Sequence, residues 1–258
     1  MLRVGIEYNT ELQKIVQAVD EAVFKYVYPV IEQEQPNYTA DGWGETILVA
    51  IDRVRRLFSG NAYEELARLL ASRFVRSTLR FADRQNQRIG IEVFNDSSTK
   101  LNNYMEAAVI QNVSLIKSLP DRYLGNVANS VLTGMRAGVR PEKIAEQLRE
   151  DMGVASRRAK FIARDQAAKV NGEITKQRQI DAGFEYFKWV DAHDQRVRHR
   201  HREIANADIG YGTGVYRWDD LPLSDTGEPI QPGQDFRCRC LARDQRTSVV
   251  EKTIKSRQ

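Results

Sequence analysis

The sequence predicts a mainly α fold: a long-helix N-terminal and central body, followed by a small, loop-rich α+β cap at the C-terminal end. In the first three-quarters of the 258-residue chain, apolar residues recur at spacings of three and four, which is the period of an amphipathic helix. That period stops after Gly183, and residues 205–236 hold 5 of the 16 glycines and 3 of the 7 prolines. Such composition is typical of turns and loops.

Prolines and glycines predict where the helices of the body end. Pro29 is expected to kink the first helix and Pro36 to stop it, because proline lacks an amide donor and crowds the preceding turn. Pro120 is expected to break a later helix, and Gly153 and Gly183 to close the last two. The predicted helices cover residues 7–34, 45–58, 61–89, 104–119, 121–137, 141–153 and 156–182, with a polar loop at 95–103.

The cap begins with an aromatic, strand-like run from Phe184 to Val190. Trp189 lies in this run and is expected to pack in the core of the cap. Asp194, Arg196 and Arg198 alternate along the chain, so in an extended segment they would share one face, where Asp194 would hold an arginine through a bidentate ion pair.

Composition excludes a membrane-spanning protein. The chain is 41% hydrophobic, enough for a real core. Its apolar runs are short, however, and its first residues lack the apolar stretch of a signal peptide. We therefore expect synthesis in a cytoplasm, where structural disulfides are rare.

Positive charge is concentrated in the body. Residues 53–88 carry nine arginines against three acidic residues, and residues 1–52 carry three basic against nine acidic residues. Arginine is well suited to phosphate recognition, so the pattern is compatible with non-specific binding of double-stranded DNA. A solvated helix face, or ion pairs with the acidic N-terminal part, is the favoured explanation, because runs of charge are usually solvated. The stripe of candidate DNA-binding residues recurs at helical spacing and consists of Arg73, Arg76, Arg80, Arg84 and Arg88.

All histidines and cysteines of the chain fall in the C-terminal quarter. Cys238 and Cys240 are too close in sequence for an unstrained disulfide. Together with His201 they supply three ligands that zinc accepts, although the Cys-x-Cys spacing fits no common zinc signature. Two interpretations stay open: a zinc site, with His199, His193 or Asp194 as the fourth ligand, or thiols packed beneath the cap.

Four segments then carry a family resemblance, in order along the chain. They are QNVSLIKSLPDRYL at 111–124, RAGVRPEKIAEQLREDMGVASRRAKFIARDQAAKVN at 136–171, GFEYFKWVDAHDQRVRHRH at 183–201, and the closing PG...CRC segment. From about residue 112 to 244 the chain resembles the phage head morphogenesis, or minor head, protein family, similar to phage Mu protein F and the SPP1 minor head protein. Trp189, Asp194, Arg196, Arg198, His201, Cys238 and Cys240 form its structural motif.

The resemblance implies a minor structural head protein of a tailed bacteriophage. It implies association with the portal vertex, action in procapsid assembly and in DNA packaging or ejection, and a place in the virion after assembly in the host cytoplasm. The implied partners are the portal protein and the major capsid or scaffolding protein, and no enzymatic activity is expected. The predicted regions are 1–110, a helical N-terminal region; 111–183, a helical body similar to Mu protein F; 184–246, the compact cap; and 247–258, a tail.

An enzyme is the alternative. Histidine, aspartate, arginine and cysteine concentrated in one small region are compatible with a nuclease-like or transferase-like effector with its site in the cap. The sequence lacks a phosphate-binding glycine loop, a His-Glu-x-x-His helix and a second acidic cluster for a two-metal nuclease. A plain DNA-binding protein is less favoured still, because no helix-turn-helix or zinc-finger pattern is present.

Overall fold

The computed structural model describes residues 2–34, 43–88 and 98–256, and it confirms the predicted fold class. A mainly helical chain ends in a small cap with a three-stranded antiparallel sheet. The elements are α1 (Leu2–Tyr26), α2 (Tyr28–Glu34), α3 (Trp43–Leu57), α4 (Asn61–Arg88), α5 (Thr99–Arg136), α6 (Pro141–Asp181), β1 (Tyr186–Val190), α7 (His199–Asn206), β2 (Val215–Arg217), β3 (Leu241–Gln245) and α8 (Thr247–Lys255).

The chain forms two compact units. The helical unit comprises Ile6–Arg73 and Val109–Ala163, and the cap unit comprises Met1–Gly5, Phe74–Ala108 and Arg164–Gln258. The helical unit buries apolar side chains at helical spacing, including Leu12 of α1, Ile51 of α3 and Leu124 of α5. The boundaries predicted at residues 110, 183 and 246 remain predictions.

The first predicted breaks are confirmed. Val27 separates α1 from α2, next to the predicted kink at Pro29, and the turn containing Ser59 and Gly60 separates α3 from α4. The predicted stop at Pro36 lies outside the described residues.

The predicted break at Pro120 is wrong, because α5 continues through it. Proline cannot donate to the carbonyl four residues earlier, which belongs to Ile116. The Tyr63 hydroxyl donates a buried hydrogen bond of 3.2 Å to that carbonyl instead. A side chain from α4 therefore satisfies the acceptor that the proline leaves open, and the helix is not forced to end.

Two more helix ends differ from prediction. Helix α5 begins at Thr99 rather than Tyr104, because the Ser98 hydroxyl caps its first turn at the Leu101 amide. Helix α6 continues through Gly153 and Ser156, where two helices were predicted. A glycine within a helix costs only about 1 kcal/mol relative to alanine, and buried apolar residues on both sides of Gly153 offset that cost.

Helix α6 ends where the sequence predicts. Gly183 has φ +80°, and the amides of Gly183 and Phe184 donate to the carbonyls of Ile180 and Gln179. This is the hydrogen-bond pattern of a helix closed by a left-handed residue, a conformation that glycine adopts without strain.

The cap contains a sheet with strand order β2-β1-β3. Trp189 of β1 lies opposite Ala242 of β3. The cap core combines aromatic and apolar residues with both cysteines, and the Phe187 and Trp218 rings stack at 4.0 Å. Its buried members are Phe187, Trp189, Ile204, Tyr216, Trp218, Ile230, Cys238 and Cys240.

The predicted C-terminal tail contains helix α8. Its Val250 is buried in a small cluster with Tyr186 and Val215. No helix among the described residues is both long enough and apolar enough to span a membrane.

Candidate functional site

Helix α7 directs one histidine into the cap. His201 and Ile204, three residues apart, are both buried on the same face of this short helix. The His201 ring meets the Trp189 ring edge-on, with centroids 5.4 Å apart. Trp189 itself is 1% exposed, so it is a core residue of the cap, as predicted.

His201 lies against both cysteines. Its Nδ1 atom is 3.7 Å from Cys238 Sγ and 3.5 Å from Cys240 Sγ. All three donor atoms lie within 4.8 Å of one another, and all three residues are buried. The structure thus brings together His201, Cys238 and Cys240, the candidate metal ligands predicted from the sequence.

The far side of the imidazole is fixed by a carboxylate. His201 Nε2 is 2.9 Å from Asp235 Oδ2, and the Arg198 guanidinium contacts the same oxygen at 3.3 Å. Arg198 also donates to the Phe236 carbonyl at 2.6 Å. These contacts hold the start of α7 against the segment that precedes the cysteines.

The pKa values of the three clustered side chains are shifted in different directions. A hydrogen bond from the Cys240 thiol, and another from His201, lower the pKa of Cys238. The hydrogen bond to Cys238, together with burial, raises the pKa of Cys240. The pKa of His201 is raised, mainly by its hydrogen bond to Cys238. The arrangement therefore favours ionisation of Cys238 over ionisation of Cys240.

Close backbone approach docks the cysteine-bearing segment on α6. A Cβ atom on Gly172 would lie 2.5 Å from the Pro232 carbonyl oxygen, and one on Gly233 would lie 2.8 Å from the Ala168 carbonyl oxygen. Larger residues at these two positions would push the loop away. Beyond them, the Arg237 amide donates to buried Asp165 of α6 at 3.0 Å.

The segment around residue 194 is a turn rather than the expected extended stretch. Asp194 accepts the Arg196 amide at 2.9 Å. Its carboxylate forms the predicted bidentate pair, but with Arg239, which lies between the two cysteines. This pairing lowers the pKa of Asp194. Arg196 is exposed and lies 3.8 Å from Asp194.

Comparison with known proteins supports the family resemblance. Residues 125–243 match the family model described as Phage Mu protein F like protein. This segment contains every residue of the predicted structural motif. This match supports a phage Mu protein F-like region at residues 125–243. The resemblance predicted from four sequence segments is confirmed over this range, and the first segment, 111–124, lies outside it.

One relative is similar to this chain over a longer stretch than the family match. It is an uncharacterized protein of Haemophilus influenzae, 31% identical over 153 residues, which are 59% of this chain and 32% of that protein. The chain therefore spans about a third of that relative's length. No solved structure matches the chain.

The three residues considered as a fourth ligand lie outside the cluster. His193 is exposed and contacts Asp191 at 2.8 Å, and His199 is exposed and contacts Glu203 at 3.3 Å. Asp194 is engaged with Arg239. Within the described part of the chain, the donors that converge are His201, Cys238 and Cys240.

Cys240 also lines a cavity of the cap unit, with a volume of about 340 Å³. Helices α4 and α6 and strand β3 contribute to its wall. Three buried amide side chains of that wall each have a polar atom without a hydrogen-bond partner among the described residues: Asn86, Asn171 and Gln179.

The arginine stripe lies on α4, outside the Mu F-like region. Arg73, Arg76, Arg80, Arg84 and Arg88 are all exposed. The only hydrogen bond from these side chains within the described ranges runs from Arg80 to Ser77. Asp83, on the same helix, pairs instead with buried Arg178 of α6 at 2.8 Å. Ion pairing to the acidic N-terminal part is not seen for the stripe in the described residues.

Sequence reasoning missed three residues of the site. Asp235 orients His201, Arg239 holds Asp194, and Asp165 receives the amide of the cysteine-bearing loop. Asp235 and Arg239 lie within residues 232–240, PGQDFRCRC, so the available signal was a charged residue within three positions of a cysteine. Asp165 gives no local signal, because its partner is 72 residues away.

The cluster suits two kinds of chemistry. Two sulfurs and an imidazole nitrogen are ligands for zinc. The order Cys238, His201, Asp235 also resembles the nucleophile, base and orienting carboxylate of cysteine hydrolases. Cys238 is only 4% exposed, so nucleophilic chemistry would require a substrate to reach a buried sulfur.

Proposed function

We propose that this protein is a minor structural head protein of a tailed bacteriophage. The observation that carries the proposal is the Mu F-like match over residues 125–243, which includes the whole cap motif. The protein acts in procapsid assembly and in DNA packaging or ejection, rather than as an enzyme. It is made in the host cytoplasm and becomes part of the virion head near the portal vertex.

The portal protein is the first proposed partner. Co-expression of the full chain with the portal protein of the same phage, followed by sizing chromatography at physiological salt, tests this directly. We expect the two proteins to elute together. Separate elution would contradict portal association, and detection of the chain in purified procapsids would then point to the major capsid or scaffolding protein as its partner.

Double-stranded DNA is the second proposed partner, and the exposed stripe on α4 supports it. Binding through arginine–phosphate contacts should be independent of sequence. The logarithm of the binding constant should fall linearly with the logarithm of the salt concentration, with a slope of about −0.9 for each phosphate contacted. We expect the triple variant Arg76→Gln, Arg80→Gln, Arg84→Gln to flatten that slope by up to about 3.

The helical unit offers a control with the same change in formal charge. Arg55 and Arg56 pair with Asp52, and Arg68 pairs with Glu64. Changing these three to glutamine should leave the slope nearly unchanged, because they already have carboxylate partners. Equal slopes in wild type and the stripe variant would show that the stripe faces solvent or another protein.

A phage-encoded enzyme with its site in the cap is the second candidate function. The Cys238–His201–Asp235 series is the observation in its favour. Location separates the two candidates: a structural protein is present in purified particles at fixed copy number, whereas a free effector is absent from them.

A further inference from the structure

We propose that His201, Cys238 and Cys240 bind a single zinc ion. The ligands would be the two cysteine sulfurs, as thiolates, and His201 Nδ1. The inference concerns the cap alone, and it stands whether or not the protein binds the portal.

The distances fit the ion. In a tetrahedral site with zinc–sulfur bonds of about 2.3 Å and a zinc–nitrogen bond of about 2.05 Å, the nitrogen lies about 3.6 Å from each sulfur. The Nδ1–Sγ distances here are 3.7 Å to Cys238 and 3.5 Å to Cys240. Both nitrogen–sulfur distances therefore match a tetrahedral zinc site, and all three donor atoms lie within 4.8 Å of one another.

The surroundings also match those of a metal-bound histidine. His201 Nε2 faces Asp235 at 2.9 Å, so the carboxylate accepts the Nε2 proton and leaves Nδ1 for the metal. Such carboxylate partners fix the ring and its tautomer in zinc sites. The Cys240 amide lies 3.4 Å from Cys238 Sγ, where it donates to the sulfur and stabilises negative charge on it.

Three protein ligands leave one coordination position. The exposed His193 and His199 are engaged elsewhere, and the described residues bring no fourth donor to the cluster. A water molecule or another exogenous donor would complete the tetrahedron. Cys240 lines the cavity of about 340 Å³, so that cavity offers room for such a donor beside one of the two proposed sulfur ligands.

The ion would join distant parts of the chain. Cys238 follows His201 by 37 residues, and the intervening segment is rich in glycine and proline. A zinc ion bound to α7 at one end and to the cysteine pair at the other closes this long loop. Folding of the cap is then coupled to metal binding, and zinc raises cap stability as its concentration exceeds the dissociation constant.

The test uses the full chain, freed of metal under reducing conditions and titrated with Zn²⁺ alone against a coloured competing chelator. We expect one zinc per chain, a rise in the melting temperature of the cap, and protection of both thiols from alkylation. Co²⁺ in place of zinc should give the intense thiolate-to-metal absorption of a sulfur-ligated site. A folded chain that takes up no zinc, with alkylation unchanged, would overturn the proposal in favour of packed thiols.

Substitutions in the cap test which residues bind the zinc ion. Cys238→Ala with Cys240→Ala should abolish binding, and zinc binding that persists in this variant would place the metal elsewhere and overturn the assignment. Asp235→Asn keeps all three ligands, so it does not depend on whether a ligand variant folds. We expect it to weaken zinc binding roughly 10- to 100-fold. The control His199→Ala, on the exposed face of α7, should bind as wild type does, and unchanged affinity in Asp235→Asn would contradict the geometry.

Discussion

In the helical unit, apolar side chains at helical spacing fill the core and hydrogen bonds occur mostly within each helix. In the cap, two thiols and an imidazole lie among aromatic rings, and side chains donate hydrogen bonds to backbone carbonyls of other segments. The Tyr216 hydroxyl donates to the Ile204 carbonyl at 2.8 Å, and Arg200 donates to the Leu223 carbonyl at 2.8 Å.

The difference follows from backbone geometry. A helix satisfies most of its own amides and carbonyls, so it needs only an apolar face to pack. A loop leaves those groups to side chains, and each buried group without a partner costs about 1–3 kcal/mol. The cap therefore depends on particular polar side chains for its loop backbone, whereas in the helical unit such side chains mostly link helices, as Tyr8 does with Asn112, and satisfy the backbone where the helix pattern fails, as at Pro120.

The largest effect that tests this contrast is expected from His201→Ala in metal-free protein. The change opens a cavity between Trp189 and the cysteines and leaves Asp235 without its histidine. We expect the free energy of unfolding to fall by about 3 kcal/mol. Urea unfolding followed by fluorescence in a Trp43→Phe background measures it, because Trp189 and Trp218 both lie in the cap core.

Exposed His199, two residues away in the same helix, is the matched control. His199→Ala loses only a surface contact to Glu203 and should change the free energy of unfolding by less than about 0.5 kcal/mol. If both histidine variants have equal stability, the polar cluster does not support the cap, and the contrast between the units fails.

A smaller effect is expected in the helical unit from Tyr63→Phe. This change removes the donor to the Ile116 carbonyl at Pro120 and should cost about 1–2 kcal/mol, because a buried acceptor is left without a partner. In a Pro120→Ala background the alanine amide satisfies the same carbonyl, so there Tyr63→Phe should cost much less. A double-mutant cycle in urea measures the coupling. Equal costs in the two backgrounds would show that Tyr63 does not compensate for the proline.

The sequence predicts best what depends on a repeating pattern. The apolar stripes of α1, α3 and α4 indicate these helices directly, and Gly183 indicates the end of α6 because a left-handed residue closes it. A prediction made from neighbouring residues fails where a residue distant in the sequence supplies the missing interaction. Pro120 does not break α5 because Tyr63, 53 residues away from Ile116, supplies the missing donor.

The residues of the candidate site likewise fall into those that the sequence identifies and those that only the folded chain identifies. Residue types that are rare in this chain identify His201, Cys238 and Cys240, since 3 histidines and 2 cysteines are few enough for their clustering to be visible. Asp235, Arg239 and Asp165 are common residue types whose roles depend on the folded path of the chain. No spacing in the sequence indicates that Asp194 meets Arg239 rather than Arg196 or Arg198.

The smallest expected effect concerns that last pair and its dependence on pH. The hydrogen bond from Arg239 lowers the pKa of Asp194 in the folded protein, so the carboxylate stabilises the cap above the ordinary aspartate pKa of about 3.9. This contribution is lost as pH falls through the lowered folded-state pKa. Asp194→Asn should therefore be less stable than wild type at neutral pH, by a small amount because the pair is exposed, and the difference should shrink below about pH 4.

Urea unfolding of the two proteins from pH 7 to pH 2 measures it, with Asp225→Asn as the control for loss of an exposed carboxylate outside the pair. Equal stability of the two proteins at pH 7 would mean that Asp194 acts by accepting the Arg196 amide, which asparagine can also do, and a difference that stays constant down to pH 2 would likewise exclude a role for its charge.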